Sequence, residues 1–217
     1  MKRKFMLIVA AALMAMSAAF AQEQWREVRN SNGIRVFTRP SANSSLDEFM
    51  GKTMVNAKIE VVVELIRDVD AQPQWMADCI EARVVKKYSE EDMLVYNVTR
   101  APWPVSNRDV VVRSRGGVDV KSGKVSIIFS AVKDSPVPER SGVVRMTDLL
   151  GQWHLSKAGD DTTEVTYIMR ANPAGNIPAS IANMTSKAIP FRTLTNMKQM
   201  VKKEKYIRLA AEKYKQR

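Results

Sequence analysis

Few side chains in this sequence are equipped for covalent or acid–base chemistry. Cys79 is the only cysteine and His154 the only histidine among 217 residues. A zinc centre needs several such ligands at close spacing, so a His/Cys metal site is excluded. A Ser-His-Asp arrangement would have to use His154, which lies inside a strand-like run, and no G-x-S-x-G sequence accompanies it. One cysteine also excludes an internal disulfide. Aspartates and glutamates fall mostly in turns or on charged faces, so no acid–base pair stands out. No catalytic residue, metal or cofactor is expected on these grounds.

What remains is binding chemistry, carried by apolar side chains at strand spacing. Arg108, Val110, Val112 and Ser114 share one side of a strand, while Asp109, Val111, Arg113 and Arg115 share the other. The second set carries more charge, so the first is the better inner set. Val125, Ile127, Phe129 and Ala131 form an inner set on the next strand. Trp153 and Leu155, then Val165, Tyr167 and Met169, do the same on the last two. Val95 and Asn97 share one face with Met93 and Thr99 one strand earlier. Aromatic, Met and β-branched groups with a few polar ones are the usual lining of an apolar small-molecule cavity. A fully packed core would use the same residues, and composition alone favours it.

These side chains must be positioned by a sheet. Trp25–Arg29 and Ile34–Thr38 flank Asn32-Gly33, the favoured pair for a tight hairpin turn. Leu46–Val55 reads as a third strand after a loop over Pro40–Ser45. Lys58–Asp68 reads as a helix, with Val61, Val62, Leu65, Ile66 and Val69 on one side and Glu60, Glu64, Arg67 and Asp68 on the other. A short turn carries Asp70–Met76. Six strands then follow, over Ala82–Tyr88, Met93–Thr99, Arg108–Arg115, Lys124–Val132, Val143–Leu155 and Thr162–Ala171. The third is expected to end at Gly116-Gly117, and Gly151 to mark a bulge or bend in the fifth. Short loops between them argue an antiparallel meander.

One long helical pattern closes the chain, from about Ala179 to Tyr214. Ile181, Met184, Ala188, Phe191 and Leu194 fall on one side of it. Pro190 is expected to kink it. A wide twisted sheet curls, and the helix must bury its stripe on the concave face. The fold class is therefore α+β: a helix-grip, with a curved antiparallel sheet of about nine strands wrapped on a long C-terminal helix.

Residues 1–21 read as a removable leader. Met1-Lys-Arg-Lys4 is basic, Phe5–Phe20 is apolar, and Ala19-Phe20-Ala21 fits a cleavage site before Gln22. The apolar run is shorter than a span prefers. The mature chain, 22–217, suits one domain in the periplasm or a secreted product. The net charge is +11 and stays strongly positive without Lys2, Arg3 and Lys4. Lys198, Lys202, Lys203, Lys205, Arg208, Lys213, Lys215 and Arg217 crowd the C-terminus. They complement the helix dipole, or form a surface for anionic lipid headgroups.

Ala101-Pro-Trp-Pro-Val-Ser-Asn-Arg-Asp-Val-Val-Val-Arg113 resembles a motif of the START (StAR-related lipid transfer) domains, in which a proline-rich turn leads into an Arg-Asp pair and an apolar strand. Gln74–Lys86, Gly151–Leu155, Thr163–Tyr167 and Gly175-Asn-Ile-Pro178 resemble other stretches of that family, in the family's order. The resemblance covers roughly Trp25 to Lys205. It implies the helix-grip (START / Bet v 1-like) fold and one lipid or sterol-like molecule in a tunnel between sheet and C-terminal helix. Some animal members place a buried acid in the strand before the Arg-Asp motif. Met93, Val95, Asn97 and Thr99 occupy that face here, with no acid among them, which leaves Asn97 and Ser114 to orient a ligand head. Arg108 and Asp109 are read as structural, because a buried arginine must be hydrogen-bonded and would pin the Pro102-Trp103-Pro104 loop.

The expected function is binding of a hydrophobic small molecule, a lipid above all, with transfer between membranes as its extension. The ligand-contacting set is Val95, Asn97, Val110, Val112, Ser114, Ile127, Phe129, Trp153, Val165, Tyr167, Met169, Ile181, Met184 and Phe191. Peripheral contact with an anionic membrane is a further expected partnership. A cyclase- or hydrolase-like enzyme on the same fold is the first alternative. A basic interaction module for anionic surfaces is the second, and no nucleic-acid motif supports it.

Overall fold

Turn chemistry sets the first hairpin. Asn32 and Gly33 both adopt positive φ, 54° and 67°, the turn whose twist matches that of paired strands. In the computed structural model, which describes residues 25–41, 46–175, 177, 182–183 and 187–215, it joins β1 (Arg26–Ser31) to β2 (Ile34–Pro40). β3 (Asp47–Val55) pairs with β2. Residues 1–21, the expected leader, lie outside the described residues.

The β-branched run after β3 is helical: α1 spans Ile59–Arg67. Its apolar stripe is buried, and so is one residue of its expected polar side. Glu64 is covered by the end of the chain. It accepts hydrogen bonds from Arg67 Nη1 (3.0 Å) and Tyr214 Oη (3.1 Å), and Lys213 Nζ lies 3.3 Å away. A buried carboxylate is tolerable only with such partners. A 3-10 turn, Val69–Gln74, carries the chain back to the sheet.

The remaining strands are β4 (Cys79–Lys87), β5 (Asp92–Thr99), β6 (Asn107–Asp119), β7 (Lys124–Ala131), β8 (Val143–Arg145), β9 (Leu149–Gly159) and β10 (Thr162–Ala171). The sheet order is β1-β2-β3-β10-β9-β7-β6-β5-β4. β10 pairs with β3, so the opening hairpin adds to the far side of the meander. Two local expectations are corrected. β6 runs straight through Gly116 and Gly117, which pair with Ile127 and Ser126. The Val143–Leu155 run divides in two, because β7 reaches along β6 only as far as Val112. β8 takes over the ladder at Asn107–Asp109, in parallel.

The expected final helix is also interrupted: among the described residues it gives α2 (Ala188–Met200) and, after a break, α3 (Glu204–Tyr214). The break is at Val201–Lys203, where Lys203 is extended (φ −68°, ψ 131°). Contacts with α1 explain it. Tyr206 Oη donates to Asp68 (2.9 Å) and Lys205 pairs with the same carboxylate, turning α3 onto α1. Pro190 sits in the first turn of α2, a position that proline tolerates; residues 184–186, on which the expected kink would fall, lie outside the described residues.

The space under the sheet is half filled and half hollow. α2 lies on β2 and β3, burying Leu194, Met197 and Met200 among Ile34, Val36, Phe49, Val165 and Tyr167. Gly51 permits this closeness: a Cβ there would stand 2.7 Å from Leu194 Cδ1 and 3.0 Å from Pro190 Cβ. The cavity lies on the other side, over β4 to β7. The convex face there is covered too. Val137, from the loop between β7 and β8, packs on Leu94, Tyr96, Val98 and Val111.

Candidate functional site

Alternation along β5 and β6 builds one wall of the cavity. Met93, Val95, Asn97 and Thr99 face it from β5, and Arg108, Val110, Val112, Ser114, Gly116 and Val118 from β6. Met93 to Thr99 is six strand steps, so the wall is about 20 Å long. Ile127 and Phe129 of β7, Trp153 of β9, and Tyr167 and Met169 of β10 continue it. Ala182, Ala188, Ile189 and Arg192 close it from the helical side. The volume is about 550 Å³, within the ordinary range for ligand cavities of roughly 300–1,000 Å³.

Aromatic packing forms the floor. Trp153 stacks on Tyr167 at 4.0 Å and meets Trp75 at 5.9 Å. Tyr167 Oη donates to Met169 Sδ (3.3 Å), and complete burial raises its pKa. Gly151 is not a bulge. It pairs in register with Phe129 and Met169, and a Cβ there would lie 2.0 Å from the Phe129 ring. The glycine therefore seats that ring against β9, at the cavity edge.

Polar groups are sparse on the wall. Asn97 Nδ2 donates to Gln72 Oε1 (2.7 Å) and lies 3.9 Å from Cys79 Sγ. Burial raises the Cys79 thiol pKa, although bonds to Asn97 and Glu81 oppose it. Arg67, Glu90 and Glu91 stand at the end by the β4–β5 turn, and Asp78 and Arg192 at the end by the β5–β6 loop. Each of these carboxylates is engaged: Asp78 with Arg192, Glu90 with Lys87 and Lys213, and Glu91 with Arg67. Among the described residues no group of three or more His, Cys, Asp or Glu could hold a metal ion.

Arg108 and Asp109 point to opposite faces, as neighbours on a strand must. Asp109, 1% exposed, takes two hydrogen bonds from Arg145 (2.8 and 3.0 Å) and one from Tyr96 (3.0 Å). Arg145 also donates to the carbonyls of Val137 and Pro138, fastening the outer loop. Arg108, 7% exposed, faces the cavity. It donates to the carbonyls of Pro173 (2.9 Å), Ala174 (3.2 Å) and Ser106. It pins the turn after β10 and the end of the β5–β6 loop, rather than Pro102-Trp103-Pro104 itself. Trp103 stays 93% exposed at the tip of that loop, whose Ala101, Pro102 and Val105 line the cavity.

Ten of the sequence-derived candidates line the cavity: Val95, Asn97, Val110, Val112, Ser114, Ile127, Phe129, Trp153, Tyr167 and Met169. Val165 does not. It is fully buried in the packed half, under α2. Phe191 does not either. Its ring is in the packed core, with the Arg29 guanidinium 3.3 Å above it. Ile181 and Met184 lie outside the described residues. Asn97 and Ser114 are not brought together, because Ser114 pairs with Met93, four residues along β5. Sequence reading missed Gln72, in the 3-10 turn, and Cys79, the first residue of β4. It also assigned Arg108 to structure alone, although its alternation with Val110 and Val112 already placed it on the inner face.

A family model described as START domain matches residues 7–206. The STAR-related lipid transfer protein (fragment 25–204) of Xanthomonas axonopodis is similar at 35% identity and TM-score 0.75. The match covers 82% of this chain and 99% of that one. Phosphatidylcholine transfer protein of Mus musculus is 27% identical over 172 residues, covering 78% of this chain and 79% of its own. Human StAR-related lipid transfer protein 5 shares the fold at TM-score 0.75 and 17% identity, over 92% of this chain and 98% of that one.

Proposed function

The chain belongs to the START domain family, and from that premise we propose that it takes up one lipid molecule in the cavity beside α2 and carries it between membranes outside the cytoplasm. The observation that carries this reading is the cavity itself: about 550 Å³, elongated, walled by Val95, Val110, Val112, Ile127, Phe129 and Met169. Each methylene buried there contributes about 0.8 kcal/mol. A relative named for phosphatidylcholine transfer makes a glycerophospholipid the first ligand to try. Export rests on the basic and apolar pattern of residues 1–21.

Carrying a lipid requires meeting a membrane. Trp103 is an exposed aromatic on a loop that also walls the cavity, and indole rings favour the headgroup level. The basic C-terminus is the weaker candidate for that contact, because Lys205 and Lys213 are already paired with Asp68, Glu64 and Glu90. An enzymatic reading lacks an acid–base pair among the described residues of the wall, whose carboxylates stand at the two ends, each beside a cation.

The test is extraction of a fluorescent phosphatidylcholine from donor vesicles by the purified mature chain, followed by delivery to acceptors. Uptake of about one lipid per chain is expected, slowed by Trp103→Ala without loss of thermal stability. A well-folded chain that extracts no lipid would overturn the reading.

A further inference from the structure

Resting on the lipid-binding reading, we infer that the ligand carries an oxyanion, a phosphate or a carboxylate, and that this group sits on Arg108 at the β5–β6 loop end of the cavity. Arg108 is a cation removed from water, and a buried charge persists only with compensation. Among the described residues its partners are three backbone carbonyls and no carboxylate. Asp109, next in sequence, faces the other side of the sheet and is taken by Arg145. Asp78 is taken by Arg192.

Among the described residues three of the five guanidinium N–H groups are used, which leaves two donors, and the residue lines the cavity. The fork of a guanidinium matches two oxygens of one phosphate or carboxylate. Burial also lowers the Arg108 pKa, in keeping with a cation short of a counter-charge. The rest of the wall fits a chain attached to such a head. From Arg108 the inner face of β6 continues through Val110 and Val112, opposite Asn97 and Val95 of β5. The amide pair Asn97–Gln72 lies one inward-facing position along from the cation, where ester or hydroxyl groups below a headgroup would pass. Apolar wall then runs on toward Met93.

The experiment compares pairs that differ only in the anionic group. Phosphatidylglycerol is set against diacylglycerol of the same acyl chains, and hexadecanoate against hexadecanol, each offered to the delipidated chain. Inorganic phosphate alone is the third arm. The inference expects at least one anionic member to bind about tenfold or more tightly than its neutral partner. The ratio should fall toward one in Arg108→Gln and be largely kept in Arg108→Lys. The two pairs separate a phosphate head from a carboxylate. Equal binding of anionic and neutral members, or a ratio unchanged in folded Arg108→Gln, would overturn the inference and leave lipid binding standing. Inorganic phosphate binding as tightly as the lipid would overturn the lipid headgroup as its occupant. Uptake of none of the lipids would overturn both readings. If Arg108→Gln does not fold, the wild-type ratios and Arg108→Lys decide.

Discussion

Two adjacent residues with opposite charge do separate work here. Asp109 holds the outer loop through Arg145, while Arg108 holds the turn after β10 and faces the cavity. Burial alone would raise the Asp109 pKa, but the hydrogen bonds of Arg145 and Tyr96 hold it below the ordinary carboxylate value. A carboxyl whose pKa is lowered by folding adds stability above its unfolded pKa of about 3.9. That stability is lost as pH falls through the lower folded value. Asp109→Asn leaves Arg145 buried without its counter-charge and should cost about 3–5 kcal/mol at pH 7. Urea unfolding between pH 7 and pH 2 checks both points: the difference from wild type should shrink below about pH 4.

Gly151 offers a second test at this scale. An added methyl would overlap the Phe129 ring, which must then move into the cavity. Gly151→Ala should reduce lipid capacity more than stability. Titration with a lipid of fixed chain length, beside a melting curve, separates the two effects.

Among the elements, α2 decides where the grip is solid and where it is hollow. It touches β3 directly at Gly51, and it is tied to the segment before β4 by Thr193 Oγ1 (to Ala77 N, 3.1 Å), Asn196 Nδ2 (to Trp75 O, 3.1 Å) and Arg192 (to Asp78). Gly51→Ala should overpack this contact and cost about 1–3 kcal/mol. It should also speed ligand release, since the helix that closes the cavity is lifted. Stopped-flow exchange of a fluorescent lipid would show it; an unchanged off-rate in a destabilised variant would make α2 a passive cover.

The strands were legible from two-residue alternation, and β10 matches its reading at Thr162–Ala171. The inner faces of β5, β6 and β7 were legible for the same reason. The division of the last helix was not, because the break at Val201–Lys203 comes from Asp68, far away in sequence. Nor was the fate of Val165 and Phe191. Alternation shows that a side chain points inward, but not whether a helix or empty space meets it.

At the scale of the whole molecule, one curved sheet serves a packed half that confers stability and a hollow half that is free to bind. The apolar set read from the sequence was compatible with a solid core throughout or with a cavity throughout, and the protein has some of each. The solid half lets the other remain open, because α1, α2 and α3 bury Val62, Leu65, Leu194, Met197 and Tyr206 in one packed cluster. Native mass spectrometry of the chain purified from its own host cells tests this division most directly. One lipid of uniform added mass per chain is the predicted result, displaced when an excess of another lipid is supplied. A chain that carries no added mass, and gains none from any lipid offered, would contradict it.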